Sequence, residues 1–161
     1  LEFFLRDTYE LHGKLSRMVK ELNEFYLSTP ALYEIEDSWD GFEWLAPDDA
    51  DRNMVSFLRR DKAGNEVITL VCFSGVDVPD YRLGVPRRGK YKIVFNTDDV
   101  KYGGEGKITK KAITAVKKPS HGKQYSIPVA MPKLTCLYLV REPDAPKAEK
   151  SKATAKKPAA K

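Results

Sequence analysis

The sequence predicts a mainly β fold, an antiparallel β-sandwich preceded by one amphipathic helix. Three observations carry the prediction. Apolar residues recur at helical spacing only near the start of the chain. After Asp51 come short strand-like runs at regular spacing, separated by Gly, Pro, Asp and Asn, the pattern of an all-β sandwich. No β–α alternation follows the first helix, which excludes a parallel α/β sheet.

The helix is predicted over roughly Thr8–Leu27. Leu11, Leu15, Met18, Val19, Leu22, Phe25 and Tyr26 form its apolar stripe. Asp7 and Glu10 are expected to cap its start by accepting orphan N–H groups. Pro30 ends it, because a residue before proline is pushed out of the helical region. One helix cannot bury its own stripe, so it must pack on something else. The predicted strands are Val55–Arg60, Glu66–Phe73, Tyr81–Val85, Gly89–Asn96, Gln124–Met131 and Lys133–Arg141. The first two flank "DKAGN", a hairpin loop in which Gly64 supplies a positive φ.

The formal charge is +5. The segment 143–161, "PDAPKAEKSKATAKKPAAK", holds six lysines against Asp144 and Glu149 and carries +4 of it. The high pI is thus expected to belong to this tail and not to a basic binding face. The tail has no large apolar residue and is expected to be disordered; a solubilising role is expected, with no specific nucleic-acid or membrane partner. No run reaches the eighteen or so apolar residues a membrane span needs. "LEFFLRD" has no basic leader, and the sequence starts without methionine, as if cut from a longer chain. Cys72 and Cys136 each lie in an apolar run, which predicts free buried thiols and a reducing, cytoplasmic setting.

The richest stretch is "SWDGFEWLAPDDADRN", Ser38–Asn53. Aromatic faces beside carboxylates suit sugar chemistry, but nothing here sets two carboxyl groups at a fixed separation across a sugar bond. Solvated loop acids are the expectation, and no catalytic residue is assigned. "DADRN" opens like a calcium loop, yet Met54 stands where glycine is needed and Arg60 where the closing glutamate belongs; no metal site and no cofactor is expected. "YGGEG", Tyr102–Gly106, reads as a flexible hairpin tip. His12 and His121 lie far apart in the sequence and suggest no constellation. Trp39, Phe42 and Trp44 remain: exposed, they would stack on pyranose rings; buried, they would anchor a domain contact.

"DGFEWL" (Asp40–Leu45), the following "DD", "FLRRDKAGNE" (Phe57–Glu66), "VCFSGVDVPDYRLGVP" (Val71–Pro86), "GKYKIVFNTDDVKYGGEG" (Gly89–Gly106) and "PKLTCLYLVRE" (Pro132–Glu142) together resemble the 1,4-α-glucan (glycogen) branching enzymes of the α-amylase superfamily. Leu11–Glu34 is similar to the last helix of their catalytic barrel and the linker after it. The resemblance covers about residues 1–142. Cys72 and "SGVDV" depart from the family's usual wording, in a strand-to-loop turn.

The resemblance implies a division into 1–34, the last barrel helix and linker; 35–142, an α-amylase C-terminal-type Greek-key β-domain; and 143–161, the basic tail. It implies a parent with a catalytic (β/α)8 barrel that forms α-1,6 branches by a retaining transfer of α-1,4-glucan segments in glycogen biosynthesis. Barrel active sites form at the C-terminal ends of the barrel strands, and this chain carries none of those strands. The expected partners are then the barrel of the same polypeptide and, through it, α-glucan. Phe42, Trp44, Leu15 and Leu22 are the expected interface residues, and Trp39 is a possible glucan contact. A stand-alone glucan-binding β-sandwich is the competing reading.

Overall fold

The computed structural model describes residues 4–143; the expected disorder of the tail concerns residues outside these, apart from Pro143. Two helices open the chain, α1 (Phe4–Thr8) and α2 (Glu10–Leu27). Eight strands follow: β1 (Phe42–Asp49), β2 (Met54–Arg60), β3 (Glu66–Cys72), β4 (Val78–Val85), β5 (Lys90–Asn96), β6 (Ala112–Thr114), β7 (Tyr125–Met131) and β8 (Cys136–Arg141). Six of them form one sheet in the order β1-β2-β3-β8-β5-β6, and β4 pairs with β7 in a second. All pairings are antiparallel.

The period-2 pattern decides the layering. Leu58, Ile68 and Leu139 are cross-strand partners in one row, and all are buried in the core. They face Leu83 and Val85 of β4 and Ile127, Val129 and Met131 of β7, which complete the core. Tyr91 sits there too; its hydroxyl donates to the Arg87 carbonyl at 2.8 Å, and burial pushes its pKa up to about 12. The β2–β3 hairpin turns through "DKAGN" with Gly64 at φ 80°.

Several expectations need correction. The helix is broken at Tyr9, whose backbone is extended. Asp7 does not cap it, because it lies inside α1 and is paired with Arg6 at 3.1 Å. Glu10 instead bonds Lys14 one turn on, at 2.7 Å. Strand β1 was not expected: Pro47, its acids and two irregularities of register hide the alternation. With β1 in place, Glu43, Asp48 and Asp49 are strand residues and not loop acids.

"YGGEG" is not a flexible hairpin tip. Asp98, 6% exposed, accepts the Glu105 and Lys107 N–H groups at 2.9 and 2.7 Å on its carboxylate. Its carbonyl accepts the Gly106 N–H at 2.8 Å. The loop is therefore wound around one buried side chain. "DADRN" is closed by an Asp49–Arg52 pair at 3.3 Å and by Asn53 in the left-handed region. His121 accepts the Gly84 N–H, and His12 packs edge-on against Tyr9. Cys72 and Cys136 are both free. They occupy neighbouring positions of opposite facing, since Cys136 pairs with Val71 and not with Cys72. Burial raises the Cys136 thiol to about 11, which keeps it protonated and unreactive at neutral pH. Among the described residues no helix is long and apolar enough to cross a membrane.

Candidate functional site

The outer face of the six-stranded sheet is the notable surface. Trp44 pairs with Phe57, Phe57 with Thr69, Thr69 with Tyr138, and Phe95 with Tyr138. Directly opposed residues project from the same face, so one row crosses five strands. Helix α2 covers one end of it: the Phe25 ring lies 5.9 Å from Phe95 and 5.3 Å from Tyr138. Phe95 in turn stacks on Tyr102 at 5.4 Å. The linker after α2 contacts β2 and β3 in the middle of the row, through the turn Pro30–Leu32 with Ala31 buried. At the other end Trp39, Phe42, Trp44 and Phe57 form one aromatic cluster, with adjacent rings 4.9–5.9 Å apart.

The chain reaches this cluster by a tight path. Arg59 donates to the Ile35 carbonyl at 3.0 Å, and Glu34 accepts the Lys62 N–H at 2.9 Å. Gly41 lies against Ile35 so closely that any Cβ would run into its backbone. Ser38 accepts the Asp40 N–H and starts the short turn that carries Trp39 outward. The result is an open groove of about 430 Å³ lined by Glu36, Asp37, Trp39, Phe42, Trp44 and Arg59.

Glu43 is engaged by two cations. Its carboxylate accepts from Lys123 and, at 2.5 Å, from Arg60, which also binds Glu66 at 2.9 Å. Burial pushes the Glu43 carboxyl up, but the hydrogen bonds from Lys123 and Arg60 outweigh it and hold the group below its ordinary range. A carboxyl held ionised in this way is unsuited to donating a proton; its geometry ties β1 to β2 and to the loop before β7.

A second ionic cluster fixes the helix. Glu21 accepts from Lys101 Nζ and from the Tyr102 hydroxyl, both at 2.6 Å. The Lys101 hydrogen bond, followed by that of Tyr102, lowers the Glu21 pKa below 4.5. A carboxyl with a depressed folded pKa contributes stability above its unfolded pKa and loses it as pH falls through the folded value. Acidification below about pH 4.5 is thus expected to free the C-terminal half of α2 before the sandwich melts. Amide exchange of Leu22–Leu27 checks this; Glu21→Gln should show the faster exchange already at neutral pH.

The residues singled out in the sequence are distributed as follows. Phe42 is half-buried in the aromatic cluster, Trp44 is 47% exposed, and Trp39, 76% exposed, stands over the groove. All three belong to the sheet face on which α2 lies, not to the far side of the sandwich. On α2, Leu22 is half-buried and Leu15 is 52% exposed. The stripe is therefore only partly unpartnered: Phe25 rests on the β-domain, while Leu11, Leu15 and Val19 face outward. Sequence reasoning missed Phe57, Phe95, Tyr102 and Tyr138. For Phe57, Phe95 and Tyr138 the signal was cross-strand register, visible only once strand partners are known; Tyr102 is brought in by the turn Val100–Tyr102, where it stacks on Phe95.

An all-β sandwich with an amphipathic helix lodged on its outer face defines the class: a β-domain with an attached helical arm. Residues 44–142 match the alpha amylase, C-terminal all-beta domain, and the chain belongs to that family. It is similar to the 1,4-alpha-glucan branching enzyme GlgB of Aquifex aeolicus, with 41% identity over 135 residues, 83% of this chain and 21% of that protein. It is also similar to the enzyme of that name from Halothermothrix orenii, with 37% identity over 139 residues, 86% of this chain and 22% of that protein. The chain thus spans about a fifth of the length of these curated relatives.

Proposed function

We propose that the chain is the C-terminal, non-catalytic part of a 1,4-α-glucan branching enzyme, packing through α2 and the aromatic face onto the catalytic barrel and stabilising it. The observation that carries this is the outward row Leu11, Leu15 and Val19 on a helix whose other side is already bonded to the β-domain. A single apolar stripe that the β-domain covers only around Phe25 leaves the rest of the stripe for a second body. Leu15 and Leu22 on α2 and Phe42 and Trp44 on the sheet are its contact residues, with the division between arm and β-domain near residue 34. The parent's reaction, a carboxylate attack on an α-1,4 bond followed by transfer to a glucan 6-hydroxyl, needs no cofactor. The two free thiols agree with a cytoplasmic setting.

The test adds the purified chain to a branching enzyme truncated before the corresponding helix. The chain alone leaves the iodine spectrum of amylose unchanged, and its addition raises the melting temperature of the truncated enzyme. Leu15→Asp, an exposed change, abolishes that rise. Branching by the chain itself, or a rise that survives Leu15→Asp, refutes the reading.

The exposure of Trp39 over its groove favours a second reading, an α-glucan contact on the same face. Millimolar maltoheptaose then quenches tryptophan fluorescence in the wild type and not in Trp39→Ala. Absence of quenching in the wild type removes this reading.

A further inference from the structure

The groove beside Trp39 combines exposed indole surface with free negative charge. Trp39 and Trp44 are both exposed. Glu36 and Asp37 line the groove, and Asp40 adjoins it on the short turn Trp39–Gly41. All three carboxylates are exposed and have no ion-pair partner among the described residues. Arg59, also in the lining, is part-buried and directs its guanidinium to the Ile35 carbonyl.

Other acids at this end of the sheet are engaged. Glu34 faces Lys62 at 4.0 Å, Glu43 is held by Arg60 and Lys123, and Glu66 by Arg60 and Arg87. Asp61 accepts from the Asn65 backbone and side-chain amides at 2.8 and 2.7 Å. Glu142 is paired with Lys90 at 3.3 Å. A cation arriving at this end therefore finds its free counter-charges at Glu36, Asp37 and Asp40.

A source of cations is tethered to the same end. Phe42 pairs with Arg59, Arg59 with Val67 and Val67 with Val140. Val140 thus lies three strand spacings from Phe42, about 14 Å. Strand β8 ends one residue later, at Arg141. Residues 144–161 then carry Lys147, Lys150, Lys152, Lys156, Lys157 and Lys161 against Asp144 and Glu149. An extended chain spans up to about 3.5 Å per residue, so Lys147 reaches the groove and the later lysines reach it with slack. On the β5 side the exit is bounded by cations: Arg141 donates to the Arg88 carbonyl at 2.9 Å, and Lys90 lies against Glu142. Like charge there turns the lysines toward β1.

We propose that the lysine-rich segment 144–161 docks in the Trp39 groove of its own chain. Its ammonium groups lie against the exposed indole and beside Glu36, Asp37 and Asp40. The segment has no large apolar residue, so lysine stems and charges are what it brings to the contact. The tether holds it at a millimolar effective concentration, so contacts too weak to last between separate molecules are populated within one. The contact uses Trp39 and the acids, leaves Phe42 and Trp44 to the barrel, and depends on neither reading of the function.

The test measures acrylamide quenching in the Trp44→Phe variant, where Trp39 is the only tryptophan. At about 10 mM salt, quenching in the full chain is roughly half of that in the chain ending at Pro143. Raising the salt to about 1 M, where the screening length falls to about 3 Å, removes the difference. Replacing Glu36 by Gln with Asp37 and Asp40 by Asn, all exposed changes, removes it at low salt as well, with unchanged circular dichroism. Asp48→Asn with Asp51→Asn, at the other end of β1, keeps it. A synthetic peptide of residues 144–161, added to the shortened chain at about 10 mM, restores the shielding. Equal quenching in the full and shortened chains overturns the proposal. So does shielding that survives loss of the three acids, that the Asp48 and Asp51 changes remove, or that grows with protein concentration, which assigns the segment to a second copy.

Discussion

Replacing Leu139 by Ala is expected to destabilise the chain by about 2–5 kcal/mol, read as a lowered urea midpoint by far-ultraviolet circular dichroism. Leu139 is fully buried in β8. Its cross-strand neighbours are Ile68 on β3 and Ile93 on β5, so β8 is held from both sides and cannot shift to fill the space. The cost therefore includes the cavity as well as the lost transfer energy. Tyr138→Ala, one residue earlier, is the informative comparison. It faces the helix and not the core, so it should leave the urea transition nearer to wild type while raising amide exchange in α2. Equal effects of the two changes would mean that the helix and the sandwich unfold as one unit.

Asp98→Ala is expected to cost about 2–4 kcal/mol, because the buried carboxylate that accepts the Glu105 and Lys107 N–H groups is lost and the apolar replacement offers no acceptor. The damage should also travel. The loop that Asp98 organises begins at Tyr102, which stacks on Phe95 and donates to Glu21. Once the loop loosens, α2 loses its ionic contact with the sheet. Amide exchange in residues 20–27 should therefore rise in Asp98→Ala as it does in Glu21→Gln. If α2 remains as protected as in the wild type while stability falls, the loop and the helix are not coupled.

Much of the β-domain was legible because its strands are short apolar or alternating runs between turn residues. Tyr125–Met131 alternates buried and exposed from Ile127 on, and Glu66–Cys72 is a continuous run buried almost throughout. Elements that break the alternation were not legible. Strand β1 carries a proline and two bulges, and β6 has three residues. The helix was readable from its stripe, but its partner was not: Phe25 meets Phe95 and Tyr138, seventy and more residues later, and no local pattern encodes that contact. The aromatic cluster was visible as composition around Trp39 and Trp44. Its fourth member, Phe57, became part of it only through the β1–β2 register.

The place of β8 has a consequence for how the protein is made. The final strand of the domain lies at the centre of the large sheet, between β3 and β5. During synthesis, β1–β3 and β5–β6 emerge as two separate ribbons, each with an open edge and an uncovered apolar side. They join only when Cys136–Arg141 has left the ribosome, so the domain folds all at once and late. A ribosome stalled before Cys136 would hold a chain with two sticky half-sheets, the kind of nascent species that chaperones retain.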